Sequence, residues 1–323
     1  MQAASESAPD LPDILRRAFS QEREALIALV VAAHASLEVD PVAESGRGRF
    51  VAWLRAEEAQ GSDQVAHWEQ LDFELIDDVM IIGAGISDHL RALELCLVAG
   101  PPLQTSIVTL GRAIFEATVR LCYLLESSVS PAQHTLRAAA QWADKFESTE
   151  RTARSYDHDP QELAAIAERA DEMHTALATM GFTRVAGGWN SRYTTNLGLQ
   201  GEVANVSFNM TSAAKRYIAG VDFAWSVLSG AAHSKSWYIN SAYGFDGEDD
   251  SKITAPEETH ALVLLLLFAA SDAFVDAVCL WAGLNANALH DETHRRRIAV
   301  SQGIQSEMAD FRSYAEYRAL VSR

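Results

Sequence analysis

Residues 102–128 read PLQTSIVTLGRAIFEATVRLCYLLESS, and the spacing of their apolar positions decides the fold. Ile107, Val108, Ile114, Phe115, Val119 and Cys122 recur at intervals of three, four and seven, the period of a helix with a wide buried face. Thr105, Thr109, Arg112, Glu116, Arg120 and Tyr123 fall within the remaining sector of about 80° as a narrow polar stripe. Two readings of the stripe compete. Facing water, Arg112, Glu116 and Arg120 form i,i+4 ion pairs worth tenths of a kcal/mol. Facing another helix, they form a polar ladder inside a bundle.

The same period runs through almost the whole chain, and period-2 alternation over β-branched residues is nearly absent. The chain therefore reads as all-α, a bundle of about nine helices at roughly 10–38, 46–60, 63–99, 102–128, 130–156, 160–180, 211–234, 255–285 and 305–322. Helix ends carry their own signals. Ser130-Pro131 and Asp159-Pro160 place a capping residue before a proline, and Thr254-Ala-Pro-Glu257 reads as a capping box. Gly100-Pro101-Pro102 is a stop.

Two long irregular loops interrupt the pattern, Gly181 to Met210 and Lys235 to Ser251. Their aromatic residues, among them Trp189, Tyr193 and Trp237, speak against simple disorder. One domain spanning 1–323 is the simpler organisation, with 1–60 as a segment that could sit at its periphery.

The segment HALVLLLLFAA, 260–270, is apolar on every side and marks the helix of 255–285 as a central element. Asp272 and Asp276 follow on one face of it, and if enclosed they need donors, for which Arg112 and Arg120 are suited. The longest apolar run, Ala261 to Ala270, is about half of what a membrane span requires. The first residues, MQAASESAPDLPD, lack a basic region followed by an apolar one, as a secretory signal would have.

A net charge of −18 with no basic runs argues against general nucleic-acid affinity and leaves room only for a local arginine pocket. Cys96, Cys122 and Cys279 sit in apolar helical patterns without metal-ligand or disulfide spacing, which suits a reducing cytosol and a cytoplasmic protein. Glu257-x-x-His260, Asp171-x-x-His174 and Asp291-x-x-His294 have the spacing of bundle metal ligands. Glu257 is better used as a capping partner and the others lie on polar faces, so neither metal nor cofactor is expected.

A second polar stripe lies on the helix of 211–234, where Asp222, Ser226, Ser229 and His233 share a face. Ser229, His233 and Asp222 supply the letters of a hydrolase triad, but Asp222 and His233 are roughly 16 Å apart along one helix. No GxSxG elbow occurs.

At GRAIFEATVRLCYLLE and WSVLSGAAH the chain resembles an uncharacterised bacterial all-helical family, in which an Arg-x-x-x-Glu helix is followed by a Leu-Ser-x-x-x-His helix. The resemblance places Arg112, Glu116, Ser229 and His233 on the family pattern. That family is loosely similar to the HEPN bundles, many of them metal-independent ribonucleases with an Arg-x4–6-His motif. The resemblance implies proton transfer by the histidine and stabilisation of phosphorane charge by the arginine. Arg151-x6-His158 and Arg169-x4-His174 match that spacing, Ala170 departs from the polar residue usual after the arginine, and about two such spacings arise by chance.

Three function classes follow. The first is a pocket for a small anionic or polar molecule, with His233, Glu116 and Ser229 in catalytic roles and Arg112, Arg120, Tyr123, Asp272 and Trp189 binding the ligand. The second is a HEPN-like ribonuclease or defence factor. The third is a non-catalytic interaction protein that forms a homo-oligomer.

Overall fold

A computed structural model describes residues 40–98, 104–156, 159–186, 192–218, 244–245, 253–254, 257–285 and 287, together with residues 16, 17, 19, 20, 23, 24, 27, 28, 30, 31, 34 and 35, which are all helical. The described chain is mostly helical. Its elements are α1 (Gly46–Ala59), α2 (Val65–Val98), α3 (Gln104–Leu124), α4 (Pro131–Ser155), α5 (Pro160–Thr179), β1 (Thr183–Ala186), β2 (Thr194–Leu199), β3 (Glu202–Asn205), α6 (Met210–Tyr217), β4 (Gly244–Phe245), β5 (Ile253–Thr254) and α7 (Glu257–Ala282). The helix expected at 305–322 and residues 219–234 of the one expected at 211–234 lie outside the described residues. Seven helices are therefore described in full, against the nine expected. No described helix is long and apolar enough to cross a membrane.

α3 occupies the centre, with α2 and α7 packed against it. Ile107, Val108, Phe115, Val119 and Leu121 are fully enclosed. Gly111 lets α7 come close, since a Cβ there would stand 2.5 Å from Val263 Cγ1. Val263, Leu264, Leu266, Leu267 and Phe268 are all buried, as an all-apolar circumference demands. α1 closes one end of the core, where Phe50 packs on Trp281 and His134.

Several helix starts follow the capping logic of the sequence. Ser130 Oγ accepts from the backbone N–H of Gln133 at 3.0 Å, Asp159 Oδ1 accepts from Gln161 at 2.9 Å, and a proline follows each cap. Thr254 lies in β5 opposite Gly244, and residues 255–256, which the expected capping box spans, lie outside the described residues.

The loop expected at 181–210 is the main correction. α5 ends at Thr179, Gly181 just beyond its cap has the left-handed φ of 84° of a helix stop, and Phe182 N–H donates to Leu177 at 3.0 Å. The chain then forms a three-stranded antiparallel sheet in the order β1-β2-β3. β2 and β3 meet at Gln200-Gly201, both with positive φ, which is the geometry of a type I′ hairpin. Leu197, Leu199 and Ala204 bury one face of the sheet, and β2 and β3 pack on α4. The strands are short, with no buried residue in β1, three in β2 and one in β3, so they establish no visible period of two and the segment reads as irregular. The second expected loop, 235–251, contains the described strand β4, which pairs with β5.

Candidate functional site

The polar stripe of α3 divides into two parts. Arg112 Nε donates to Glu116 Oε1 at 2.7 Å, the i,i+4 pair of the solvent-facing reading, with both side chains partly buried. Arg120 reaches across to α4, donating to Gln141 Oε1 at 3.1 and 2.6 Å and lying 3.5 Å from Asp144 Oδ2. Arg120 is thus held by α4 rather than by Asp272, which is half-buried on α7. Tyr123 packs against Phe208 and under the Arg137 guanidinium, 4.1 Å from its ring centroid, and burial pushes its phenol up. Trp189, Asp222, Ser226, Ser229 and His233 lie outside the described residues. The face that would complete the expected pocket is therefore not described.

Three other clusters of charged side chains organise the described core. Glu126 follows α3 and gathers donors from α4, α6 and its own loop. Its carboxylate accepts from Arg137 at 2.8 Å, Tyr217 at 2.6 Å, Ser128 at 2.8 Å, and Arg216. Burial works against its charge, yet the hydrogen bonds from Tyr217, Ser128 and Arg137 outweigh that cost and hold the carboxyl at about 2. Burial and the bond to Glu126 push the Tyr217 phenol up. A carboxylate saturated in this way is a clamp joining α3, α4 and α6.

The second cluster lies between α2 and α4. His134 Nε2 donates to Asp72 Oδ1 at 2.9 Å, and its ring stacks on Trp281 at 4.2 Å between centroids. The His134 side chain is 3% exposed. An imidazole closed in between a carboxylate and an indole orders the core and meets no substrate.

The third cluster combines a buried carboxylate with a histidine that reaches the surface. α4 carries Glu147 and Glu150 at positions continuing its buried alanine stripe, and both are fully enclosed. Thr194, opening β2, donates its backbone N–H to both Glu147 oxygens at 2.9 Å and its hydroxyl to Oε1 at 2.6 Å. From α5, His174 Nε2 stands 2.7 Å from Glu147 Oε1. A carboxylate only accepts, so Nε2 carries the ring proton and Nδ1 is the basic nitrogen. Nδ1 makes no hydrogen bond among the described residues and is not sealed from solvent, the side chain being 14% exposed.

Arginines surround this dyad. Arg192 Nε donates to Glu150 Oε1 at 2.5 Å, and its Nη1 lies 3.3 Å from Asp171. Arg154 also donates to Glu150 Oε1, at 2.8 Å, while Glu150 Oε2 is buried and accepts no hydrogen bond among the described residues. Arg184 donates to the Thr194 hydroxyl at 2.6 Å. Arg151 lies 5.0 Å over the Tyr193 ring and makes no ion pair among the described residues. Asp171 also lines an open groove of about 830 Å³ along α5, together with Glu168, Glu172, Thr175 and His67.

His174 and Arg151 belong to the two Arg-to-His spacings noted in the sequence, and of these the described residues place only the pair Arg169 and His174. Arg169 is exposed and about 140° around α5 from His174, and His158 lies outside the described residues. Glu147, Thr194 and Arg192 carry no motif; what marks them is a pair of glutamates on the inward stripe of an alanine-rich helix. Among the described residues no group of three or more His, Cys, Asp or Glu side chains is arranged to hold a metal. Cys122 is buried, and burial pushes its thiol up, as it does for Cys96 and Cys279. The chain matches no family model, no curated protein and no solved structure.

Proposed function

We propose that the protein binds a small polar molecule bearing an anionic group at the corner formed by α4, α5 and the β1-β2-β3 sheet, with His174 as the proton-transfer residue. The observation that carries this reading is the 2.7 Å contact of His174 with Glu147, a carboxylate immobilised by three further hydrogen bonds from Thr194. A buried, fixed carboxylate sets the tautomer and orientation of the imidazole, as a general base requires. Arg151, over Tyr193 and without an ion-pair partner among the described residues, supplies a cation for the ligand's charge.

Inorganic phosphate and phenyl phosphate are the first probes. Histidine ring nitrogens are followed by NMR while each probe is added, in the wild type and in Arg151→Ala and His174→Gln. Saturable movement of the His174 Nδ1 resonance, lost in Arg151→Ala, is the expected result. An unmoved resonance up to about 50 mM probe, far above the affinity range of a useful ligand site, overturns the reading. The ribonuclease alternative draws less support from the pair Arg169 and His174, which occupy different faces of α5, while His158, the partner of Arg151 in the other spacing, lies outside the described residues.

A further inference from the structure

The longest helix among the described residues, α2, carries an unusual outer face. Val79, Ile86 and Leu93, seven residues apart, are fully buried against the rest of the bundle. On the opposite side Ile81, Ala84, Asp88, Arg91 and Leu95 follow at spacings of three, four, three and four, within a sector of about 80°. Every one of them is exposed, Ile81 by 66% and Leu95 by 64%. This is a heptad stripe with Ile81, Asp88 and Leu95 at a positions and Ala84 and Arg91 at d positions. Gly85 flanks it, and a Cβ there would meet nothing within 4 Å. Asp88 and Arg91 make no ion pair among the described residues.

We infer that this face of α2 pairs with the same face of a second copy of the chain, antiparallel about a two-fold axis passing between residues 89 and 90. The charges select both partner and direction. In a parallel pair, a positions face a and d face d, which sets Asp88 against Asp88 and Arg91 against Arg91. In an antiparallel pair, a faces d, and the two-fold then sets Asp88 opposite the partner's Arg91 twice over. The same register sets Leu95 opposite the partner's Ala84 twice, a large residue on a small one beside Gly85. A self-complementary patch of this kind closes at two copies. The two ion pairs contribute register more than affinity, and the apolar ends supply the burial. One helix pair lies at the small end of specific interfaces, so a dissociation constant of about 1–100 µM is expected.

Sedimentation equilibrium of the full chain between about 1 and 500 µM tests this, with circular dichroism confirming that each variant keeps its helices. The expected result is a monomer–dimer equilibrium in the wild type that is abolished by Leu95→Asp. Asp88→Arg and Arg91→Asp each weaken it about tenfold or more, and the double reversal Asp88→Arg with Arg91→Asp restores it. A wild type monomeric throughout that range overturns the inference. So do single reversals without effect, or a double reversal that stays as weak as the singles.

Discussion

Glu147 Oε1 and His174 Nε2 lie 2.7 Å apart, with the carboxylate fully enclosed by α4 and β2 and the imidazole edge at the surface. The pair joins two helices and orients one titratable ring. Every donor to Glu147 comes from outside its own helix, so its geometry depends on the whole corner.

Glu147→Gln tests that dependence. The amide nitrogen must then face either Thr194 N–H or His174 Nε2, a donor against a donor at a fully buried position. A loss of about 2–4 kcal/mol in urea unfolding is expected. The His174 ring should lose its fixed tautomer at the same time, read from its nitrogen chemical shifts.

Glu126 sets the acid limb of stability. Its carboxyl is held at about 2 in the folded chain against an ordinary value of 4.5. Below 4.5 the unfolded chain binds this proton first, so the contribution of Glu126 is complete above that value and is lost as pH falls toward 2. Thermal unfolding followed between roughly pH 6 and pH 2 should therefore fall less steeply for Glu126→Gln than for the wild type, from a lower plateau at neutral pH.

Gly111 is the close point of α3 and α7. Alanine there places its Cβ 2.5 Å from Val263 Cγ1, inside any ordinary contact. Gly111→Ala is expected to cost about 1–3 kcal/mol through overpacking despite the better helix propensity of alanine. Val263→Ala in the same chain should recover part of that loss, and the non-additivity of the cycle measures the contact.

The hairpin between β2 and β3 gives a paired test on adjacent residues. Gly201 has φ 84° and Gln200 has φ 50°. Gly201→Ala should cost about 1 kcal/mol, whereas Gln200→Asn, which adopts that backbone more readily, should stabilise by about 0.5 kcal/mol. Chemical denaturation of the two variants decides.

The helices were legible because their signals are redundant. α4 and α5 each announce themselves by a cap, a following proline and a continuous apolar period, and α7 by an unbroken apolar circumference. The sheet was not, because its strands span four to six residues and its turn uses Gln-Gly in place of the stronger Asn-Gly signal. The Arg112–Glu116 pair was readable from spacing alone. Arg120's attachment to Gln141 and Asp144 depends on how α3 and α4 pack, which no local spacing encodes. The glutamates of the α4 corner did leave a trace, since Glu147 and Glu150 extend the stripe of Ala132, Leu136, Ala139 and Ala143. A carboxylate on an apolar stripe is a prompt to look for its donors.

Thr194 bonds to Glu147 through its backbone amide as well as its hydroxyl, and this makes one proton a clock for the site. That amide can exchange with deuterated water only when the start of β2 lifts away from α4. Each such opening also strips the imidazole's carboxylate of the donors that fix it. The protection factor of a single amide therefore counts how often the histidine loses its anchor, in a folded chain and with no ligand added.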